Sequence, residues 1–496
     1  MNRLILIFCA VTIFLSSCTK FLEETSPSIV IPTKVTHYSE LLYGQGYPTQ
    51  TTGYNRFSEL ITDDVQWNHL PNPNPLYGPM REYTRKEGWN VFLFQDDPEL
   101  DNNNGTDYFW GETYKAIAVC NVVIDGLTNV DDTDERLRKH TKGQAHALRA
   151  MHYLSLMNMY GMPYVPGTDS EWGVPIKTSP VAEDRLYKRN TVHEVYALIK
   201  ADIDSALNLI DSEKKMKLYE MNWYAAMIMA TRINLYMKNY DEVIRLGEAY
   251  LLKKSELPVS TATLTNGTFM GFTASWSGVT TNPEVVFNFG MSPSTYNSVY
   301  SASAGYDAFI PSQSLRQVFA KSLKAGESDQ RMTNTTGNTA SWFFAVASSQ
   351  YAPRKIYLNN VMKNTLRTGE VLLNLAEAYA EKGNIAKAVT HLNYLRSSRI
   401  RNYIGFVPAD FNQASLIEFT REERRRELCF EEHRLADLKR WGMPPLEHQV
   451  QDYTGKYRAQ LQQGDYGYIF QIPLKERQLN FEIKPIPRPQ RVIEPI

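Results

Sequence analysis

Residues 367–399 read RTGEVLLNLAEAYAEKGNIAKAVTHLNYLRSSR. Apolar side chains recur at helical spacing through 367–382, stop at Gly383-Asn384, and resume through 385–399. Small residues at Ala376, Ala380 and Ala388 let two helices approach closely, so the stretch predicts a helical hairpin. The same pattern continues outward. Residues 222–237 and 241–252 form a second pair that turns at Lys238-Asn239-Tyr240. Upstream, 107–127 sets Tyr114, Ile117, Ala118, Asn121, Val122 and Ile124 near one face, and 134–160 runs until Gly161 and Pro163 stop it. Thr191 and Glu194 form a capping box that opens 192–210, because hydroxyl and carboxylate satisfy free backbone donors reciprocally. A last helix is expected from a Ser415/Glu418 capping box to Trp441-Gly442. The fold class that follows is mostly α.

The two hairpins resemble degenerate tetratricopeptide units, which stack because one unit cannot bury its apolar face alone. Two stretches interrupt them. Residues 40–106 are rich in Pro, Asn, Gly and aromatics, and NHLPNPNPLYGPM (residues 68–80) is a loop under any reading. Residues 254–355 are rich in Ser, Thr, Gly and Asn, with one strand candidate at 284–289. Loops this long inside a compact domain are usually functional. The expected plan is a helical-repeat body, about 107–253 and 367–442. Loop-rich, partly β insertions, about 40–106 and 254–355, form a ligand-binding side.

The N-terminus reads as an address. MNRLILIFCAVTIFLSSC (residues 1–18) places Arg3 before an apolar run too short to span a bilayer, and Leu15-Ser16-Ser17-Cys18 resembles a bacterial lipoprotein cleavage box. Residues 1–17 are expected to be a signal peptide. Residues 18–496 then form a single unit anchored by acylation, palmitate included, at Cys18.

Composition excludes several classes. The 496 residues carry 53 Lys+Arg against 54 Asp+Glu, which gives no electrostatic footprint for nucleic acid. Four cysteines are too few for a disulfide framework, and Cys120 and Cys429 lie in helical patterns where a buried free thiol is expected. No nucleophile motif or phosphate loop is present. Gly44-Gln45-Gly46 lacks the third glycine of a dinucleotide fingerprint. His140, His146 and His152 recur every six residues, which does not hold them on one helical face for a metal. Asp101 to Asp107, with Glu112 beyond, loosely resembles a calcium loop in which Asp101, Asn103 and Asp107 offer oxygens, though its glycine is one place early. The other reading is a polar loop whose Asp107 caps the following helix. Asp63-Asp64 and Asp96-Asp97 are neighbours in sequence and point apart, whereas glycoside hydrolysis needs two carboxyls roughly 5–9.5 Å apart across a cleft. The run Arg421–Glu427 alternates in sign and pairs Glu422 with Arg426, which fits a helix face laced by ion pairs.

Aromatic placement is more informative. Of 8 tryptophans, Trp110, Trp223 and Trp441 fall in helices, while Trp67, Trp89, Trp172, Trp276 and Trp342 fall in loop-rich sequence outside the helical patterns, with Tyr77, Tyr296, Tyr300 and Tyr306 in the same kind of sequence. Flat aromatic faces near Asn, Asp and Arg suit sugar rings, and they offer contact area at small rotamer cost. Trp67, Tyr77, Trp89, Trp276, Tyr296 and Trp342 are therefore the candidate ligand contacts.

The last helix also carries a resemblance. Residues 423–442, ERRRELCFEEHRLADLKRWG, are similar to the signature of the SusD/RagB family of outer-membrane lipoproteins. Further similarity lies in Cys18 with Phe21, Leu22, Glu23, Glu24 and Pro27, in Ala145–Ala150 with Tyr153, Leu156, Tyr160, Gly161 and Pro163, in Glu370–Tyr379, and in Ile472-Pro473 with Glu476 and Asn480. The chain departs from the family at Glu432, where glycine is common, and at Leu435, where an aromatic is frequent. The resemblance implies a non-catalytic, lipid-anchored outer-membrane protein facing the exterior. Such a protein captures an oligosaccharide and passes it to a SusC-like TonB-dependent transporter, with no cofactor required. Its signature helix braces the body, and ligand contacts come from variable loops. Capture of peptides by the same architecture, or a surface glycosidase, are the alternative readings.

Overall fold

A computed structural model describes residues 32–48, 57–67, 88–95, 105–255, 284–289, 309–329, 331, 344–347, 350–353, 364–451, 455–489 and 491–496. Its α-helices are α1 (Val35–Leu41), α2 (Gly105–Asn129), α3 (Glu135–Tyr160), α4 (Val192–Leu209), α5 (Trp223–Tyr236), α6 (Tyr240–Ser255), α7 (Gln313–Lys321), α8 (Thr368–Glu381), α9 (Ile385–Ser397), α10 (Gln413–Leu428), α11 (His433–Arg440) and α12 (Leu474–Leu479). Helices α2 to α6 pack each on the next, α6 packs on α8, and α8 packs on α9 and α10. The protein is mostly helical, with small antiparallel sheets attached.

Side-chain chemistry at the helix ends explains where they begin. Asp134, Asn222 and Asn384 cap α3, α5 and α9 by accepting from the N–H groups of Leu137 (2.9 Å), Ala225 (3.1 Å) and Lys387 (3.2 Å). The Thr191/Glu194 box at α4 forms as expected, with Thr191 Oγ1 accepting at 3.2 Å and the Glu194 carboxylate at 2.9 Å. At the other end of α3, Lys439 donates to the carbonyls of Met157, Asn158 and Gly161 at 2.6–3.0 Å, placing a cation donor at the negative end of the helix. Burial lowers the pKa of that lysine to about 7.

The final helix departs from expectation. Its cap is Asn412, paired reciprocally with Ser415, so Ser415 is the partner and not the cap. It is also broken. α10 ends at Leu428, Phe430 and Glu432 take left-handed backbone (φ 60° and 63°), and α11 restarts at His433. The glycine common at position 432 in the resembling family has a physical reason here, because only glycine occupies that conformation without strain. Cys120 and Cys429 are buried thiols, as expected.

The strands are β1 (Val65–Trp67), β2 (Val285–Phe289), β3 (Phe309–Pro311), β4 (Ser328–Asp329), β5 (Phe344–Ala347), β6 (Gln350–Pro353), β7 (Asn364–Arg367), β8 (Ile400–Arg401), β9 (Leu446–Gln451), β10 (Lys456–Leu461) and β11 (Glu494–Pro495). They pair as β1–β3, β2–β7, β4–β8, β5–β6 and β9–β10–β11. The expected strand at 284–289 is β2, and all five of its residues are buried. Its partner β7 leads directly into α8, and the pairing sets Phe289 beside Asn364 at the edge of the helical body. The 254–355 stretch is less irregular than its composition suggests. It also contains α7, capped by Ser312, whose Oγ accepts from Leu315 N–H at 3.0 Å.

The interior has two characters. One apolar cluster runs from α1 through α6 into the β strands, and a smaller one lies beneath α8–α10. Each fully buried Leu, Ile or Met contributes roughly 1.5–3 kcal/mol. Between them lies an ionic core. Arg331, Arg367, Arg396, Arg399 and Arg426 meet Glu284, Asp329, Glu423, Glu427 and Glu431, and every one of these side chains is at most 6% exposed. The alternating run 421–427 is thus laced by ion pairs, but largely inside the protein.

Candidate ligand-binding site

The loop-rich side converges on one aromatic cluster. Pairing of β1 with β3 sets Trp67 opposite Phe309. The indole meets Phe309 and Trp89 edge-on, with ring centroids 5.4 Å from each. Its Nε1 donates to the Gln451 carbonyl at 3.0 Å, at the end of β9. Phe92 and Phe94 stack on the His448 ring at 4.0 and 4.6 Å. The His448 Nδ1 lies 2.6 Å from the Phe92 carbonyl and Nε2 lies 2.9 Å from that of Thr62. Burial lowers the His448 pKa to about 4, against the pull of the two carbonyls, which favour a charged ring. Three separate pieces of chain, 57–67, 88–95 and 446–451, are joined this way.

Beneath the rings, Asp63 and Asp64 are clamped by the signature segment. Arg434 grips Asp63 with two hydrogen bonds at 2.7 and 2.8 Å, and Arg425 Nε donates to Asp64 at 2.6 Å. Burial opposes ionisation of Asp63, yet the guanidiniums of Arg434 and Arg425 hold it well below the usual carboxylate range. Burial pushes Asp64 the other way. Both carboxylates are occupied by arginine, so they act as fasteners and are poorly placed to serve as acid or nucleophile.

The ionic core fixes the roots of the second loop-rich stretch. Glu284 precedes β2 and pairs with Arg399 at 2.9 Å. Arg331, just past β4, meets Glu427 at 2.9 Å, and Arg367, closing β7, meets Glu427 at 2.6 Å. Glu427 therefore serves three arginines from three parts of the chain. The flanking arginines keep its carboxyl far below the ordinary range despite complete burial. A signature helix that looked like a brace is also the anchor of the loops.

The expected contacts divide sharply. Trp67 is 1% exposed, so its faces are committed to Trp89 and Phe309 and it is not a ligand contact. Trp89 is half-buried and keeps part of its ring at the surface. Tyr77, Trp276, Tyr296, Trp342 and Cys18 lie outside the described residues, as do Asp101 and Asn103. Asp107 sits inside α2, which begins at Gly105, so it is not a cap. The last eight residues of the 101–112 stretch are helical and Glu112 pairs with Lys115, a poor fit to a loop that must wrap a cation. Among the described residues, no group of three or more His, Cys, Asp or Glu is placed to hold a metal. Trp172 is half-buried under the Arg189 guanidinium, and Trp441 is flanked by Arg421, Arg434 and Arg440 at 4.7–5.7 Å. The sequence reading missed Phe92, Phe94 and His448, although the unbroken apolar run Val91-Phe92-Leu93-Phe94 was a usable signal.

Comparison with known proteins places this architecture. The SusD family model matches residues 296–492, and a second model, described as starch-binding associating with outer membrane, matches residues 71–235. SusD-like protein P25 of Formosa agariphila is 22% identical, with 97% of each chain covered. A SusD-like carbohydrate binding protein from Bacteroides vulgatus superposes with a TM-score of 0.65 at 20% identity, covering 91% of this chain and 98% of that one. A SusD superfamily protein from Bacteroides fragilis gives 0.68 at 20% identity, covering 92% and 100%. With two family models matching separate parts of the sequence and a relative matching nearly all of it, the chain belongs to the SusD/RagB family.

Proposed function

We infer that this protein is a non-catalytic cell-surface receptor that captures an oligosaccharide and hands it to a TonB-dependent outer-membrane transporter. Lipid at Cys18 tethers it to the outer membrane. The observation that carries the reading is the aromatic cluster on the loop-rich side, where Trp89 presents a partly open ring over a rigid base of Trp67, Phe309 and His448. A flat ring held by packing offers a sugar face contact at little entropic cost. The remaining loop aromatics, Tyr77, Trp276, Tyr296 and Trp342, are assigned to the same ligand. The carbohydrate-binding relative of shared fold and the starch-binding family description support this class of ligand.

The test uses soluble chain lacking residues 1–18, titrated with a broad oligosaccharide panel by calorimetry. One or more neutral glycans should bind saturably, and no new reducing ends should appear. Trp89→Ala should weaken binding about ten-fold, the equivalent of about 1.4 kcal/mol from one lost stacking ring. Glycan binding indifferent to Trp89, or release of reducing ends, overturns the assignment.

A further inference from the structure

The short helix α12 and the residues after it lie against the connection between α3 and α4. Asn480 Nδ2 donates to the Tyr187 carbonyl, 293 residues away in sequence, at 2.8 Å. Arg189 Nε donates to the carbonyl of Lys484 at 3.2 Å. The joint is pinned from within, because Asn480, Ile483 and Ile486 are at most 8% exposed. Their neighbours face outward. Phe481 is 73% exposed, more than any other large apolar residue among those described, while Leu479 is 71% and Leu186 44% exposed.

We propose that this face rests on the outer membrane, with its lysines on anionic lipid headgroups and Leu479 and Phe481 entering the boundary between headgroups and acyl chains. The proposal rests on the membrane tether of the function inferred above. Lipid at Cys18 holds the chain near the surface, and this contact sets which way the receptor faces.

The first argument is the fixed exposure of the apolar tips. Single exposed apolar side chains are ordinary on a protein surface. Here a leucine and a phenylalanine flank the buried Asn480, and Ile483 and Ile486 hold the chain that follows, so neither tip is left outside by a loose end. Tyr187, whose carbonyl Asn480 holds, follows Leu186 directly, which brings a third apolar side chain to the same joint.

The second argument is charge. Segments 177–189 and 475–488 carry eight Lys and Arg against four Asp and Glu, in a chain whose overall balance is −1. Lys188, Lys475 and Lys484 are exposed, and their side chains form no ion pair among the described residues. Lys475 precedes Leu479 by four residues on α12, so the two share one face of the helix. Arg189 spends its guanidinium on the carbonyls of Tyr160, Gly173 and Lys484 and on no carboxylate, so its charge adds to theirs. Apolar tips among lysines suit a lipid interface, where the tips leave water and the long lysine stems keep their charges at headgroup level. Protein interfaces, by contrast, are depleted in lysine.

The experiment is vesicle flotation of the soluble chain lacking residues 1–18. Vesicles of equal parts phosphatidylglycerol and phosphatidylcholine are compared with phosphatidylcholine alone at about 0.01 M salt, where charges act over about 30 Å. The chain should associate roughly ten-fold more with the anionic vesicles, and the excess should vanish at about 1 M salt. Lys188→Glu with Lys484→Glu should remove the preference. Leu479→Ser with Phe481→Ser should lower association with anionic vesicles roughly ten-fold. All four positions are exposed, so the thermal midpoint of each variant should match that of the parent. Equal association with both kinds of vesicle, or variants that float as well as the parent, overturns the membrane contact. If vesicles are ignored and the same variants cost the full chain its co-purification with the transporter, the face docks protein and the proposal fails. No sugar is present, so either result leaves the receptor function to its own test.

Discussion

The hairpins α5–α6 and α8–α9 share one turn and differ in what lies behind it. Lys238 (φ 58°) and Gly383 (φ 77°) occupy the same left-handed position. In both turns the next N–H, of Asn239 or Asn384, bonds back to a carbonyl five residues earlier at 2.8 Å. Behind the first turn, α5 buries Ala225, Ala226, Ile228, Met229, Ile233 and Leu235. Behind the second, α8 buries Leu372, Leu373 and Leu375 together with Glu370, Asn374 and Glu377. Arg232 holds Glu370 with two bonds at 2.6 Å, Arg424 holds Asn374 at 2.6 Å, and Arg440 holds Glu377. The turn is a local property of four or five residues. The interior depends on neighbours, and α8 faces the arginines of α10 and α11.

Breaking the ionic side should cost most. Glu427→Ala strands three arginines without their shared carboxylate and should destabilise by about 4 kcal/mol, read as a lower urea midpoint. A loss below about 1 kcal/mol would mean that the guanidiniums reach other partners or water, and that the core is not ionic in any energetic sense. On the apolar side, Ile228→Ala should lose about 3 kcal/mol through a cavity, with little dependence on salt or pH.

Acid should separate the two kinds of interior. The Arg440 guanidinium, working against burial, lowers the Glu377 pKa to about 2, so the stability from that pair is present above pH ~4.5 and is lost only between there and pH ~2. His152 lies in the apolar part, donates to the Gly46 carbonyl at 2.8 Å, and is lowered by burial to about 4. A ring that stays neutral in the fold and charges when unfolded contributes stability that is present above pH ~6.5 and fades down to pH ~4, on the order of 3 kcal/mol. Unfolding midpoints measured from pH 7 to pH 4 should fall. His152→Gln, which keeps a donor and does not titrate, should flatten that limb. An unchanged slope in the variant would assign the acid sensitivity elsewhere.

The smallest effects test the shared turn. Lys238→Gly relieves a left-handed lysine and should stabilise by about 1 kcal/mol, and Gly383→Ala should cost about the same. No atom lies closer than 3.8 Å to a Cβ built at Gly383, so backbone strain alone sets that cost. Glu432→Gly belongs with these, with a gain of about 1 kcal/mol. If thermal midpoints show Lys238→Gly to be neutral, the two turns are not equivalent.

Much of this fold could be read along the chain. The α4 capping box, the turn at Gly383-Asn384, the stop at Gly161 and the strand at β2 depend on residues within a few positions of one another. The break after Leu428 was not legible, because it requires two consecutive-but-one residues, Phe430 and Glu432, to adopt a conformation their side chains disfavour. The site was legible only as an aromatic surplus. Trp67 and Trp89 look alike in sequence, and pairing of β1 with β3 decides that one is sealed in and the other stays partly open.

The sequence by itself determined the long helices of the body, where most of those start, and the family signature. All of these follow from periodicity, caps and turn residues whose partners are close in the chain. Tertiary structure alone decided that Arg331, Arg399 and Glu427 are buried and that the loops are rooted on them. Their partners lie 96 and 115 residues away, at Glu427 for Arg331 and at Glu284 for Arg399. A charge run has the same pattern on a wet surface as in a dry core. What distinguishes the two is whether opposite charges from remote segments arrive to replace the water that burial removes.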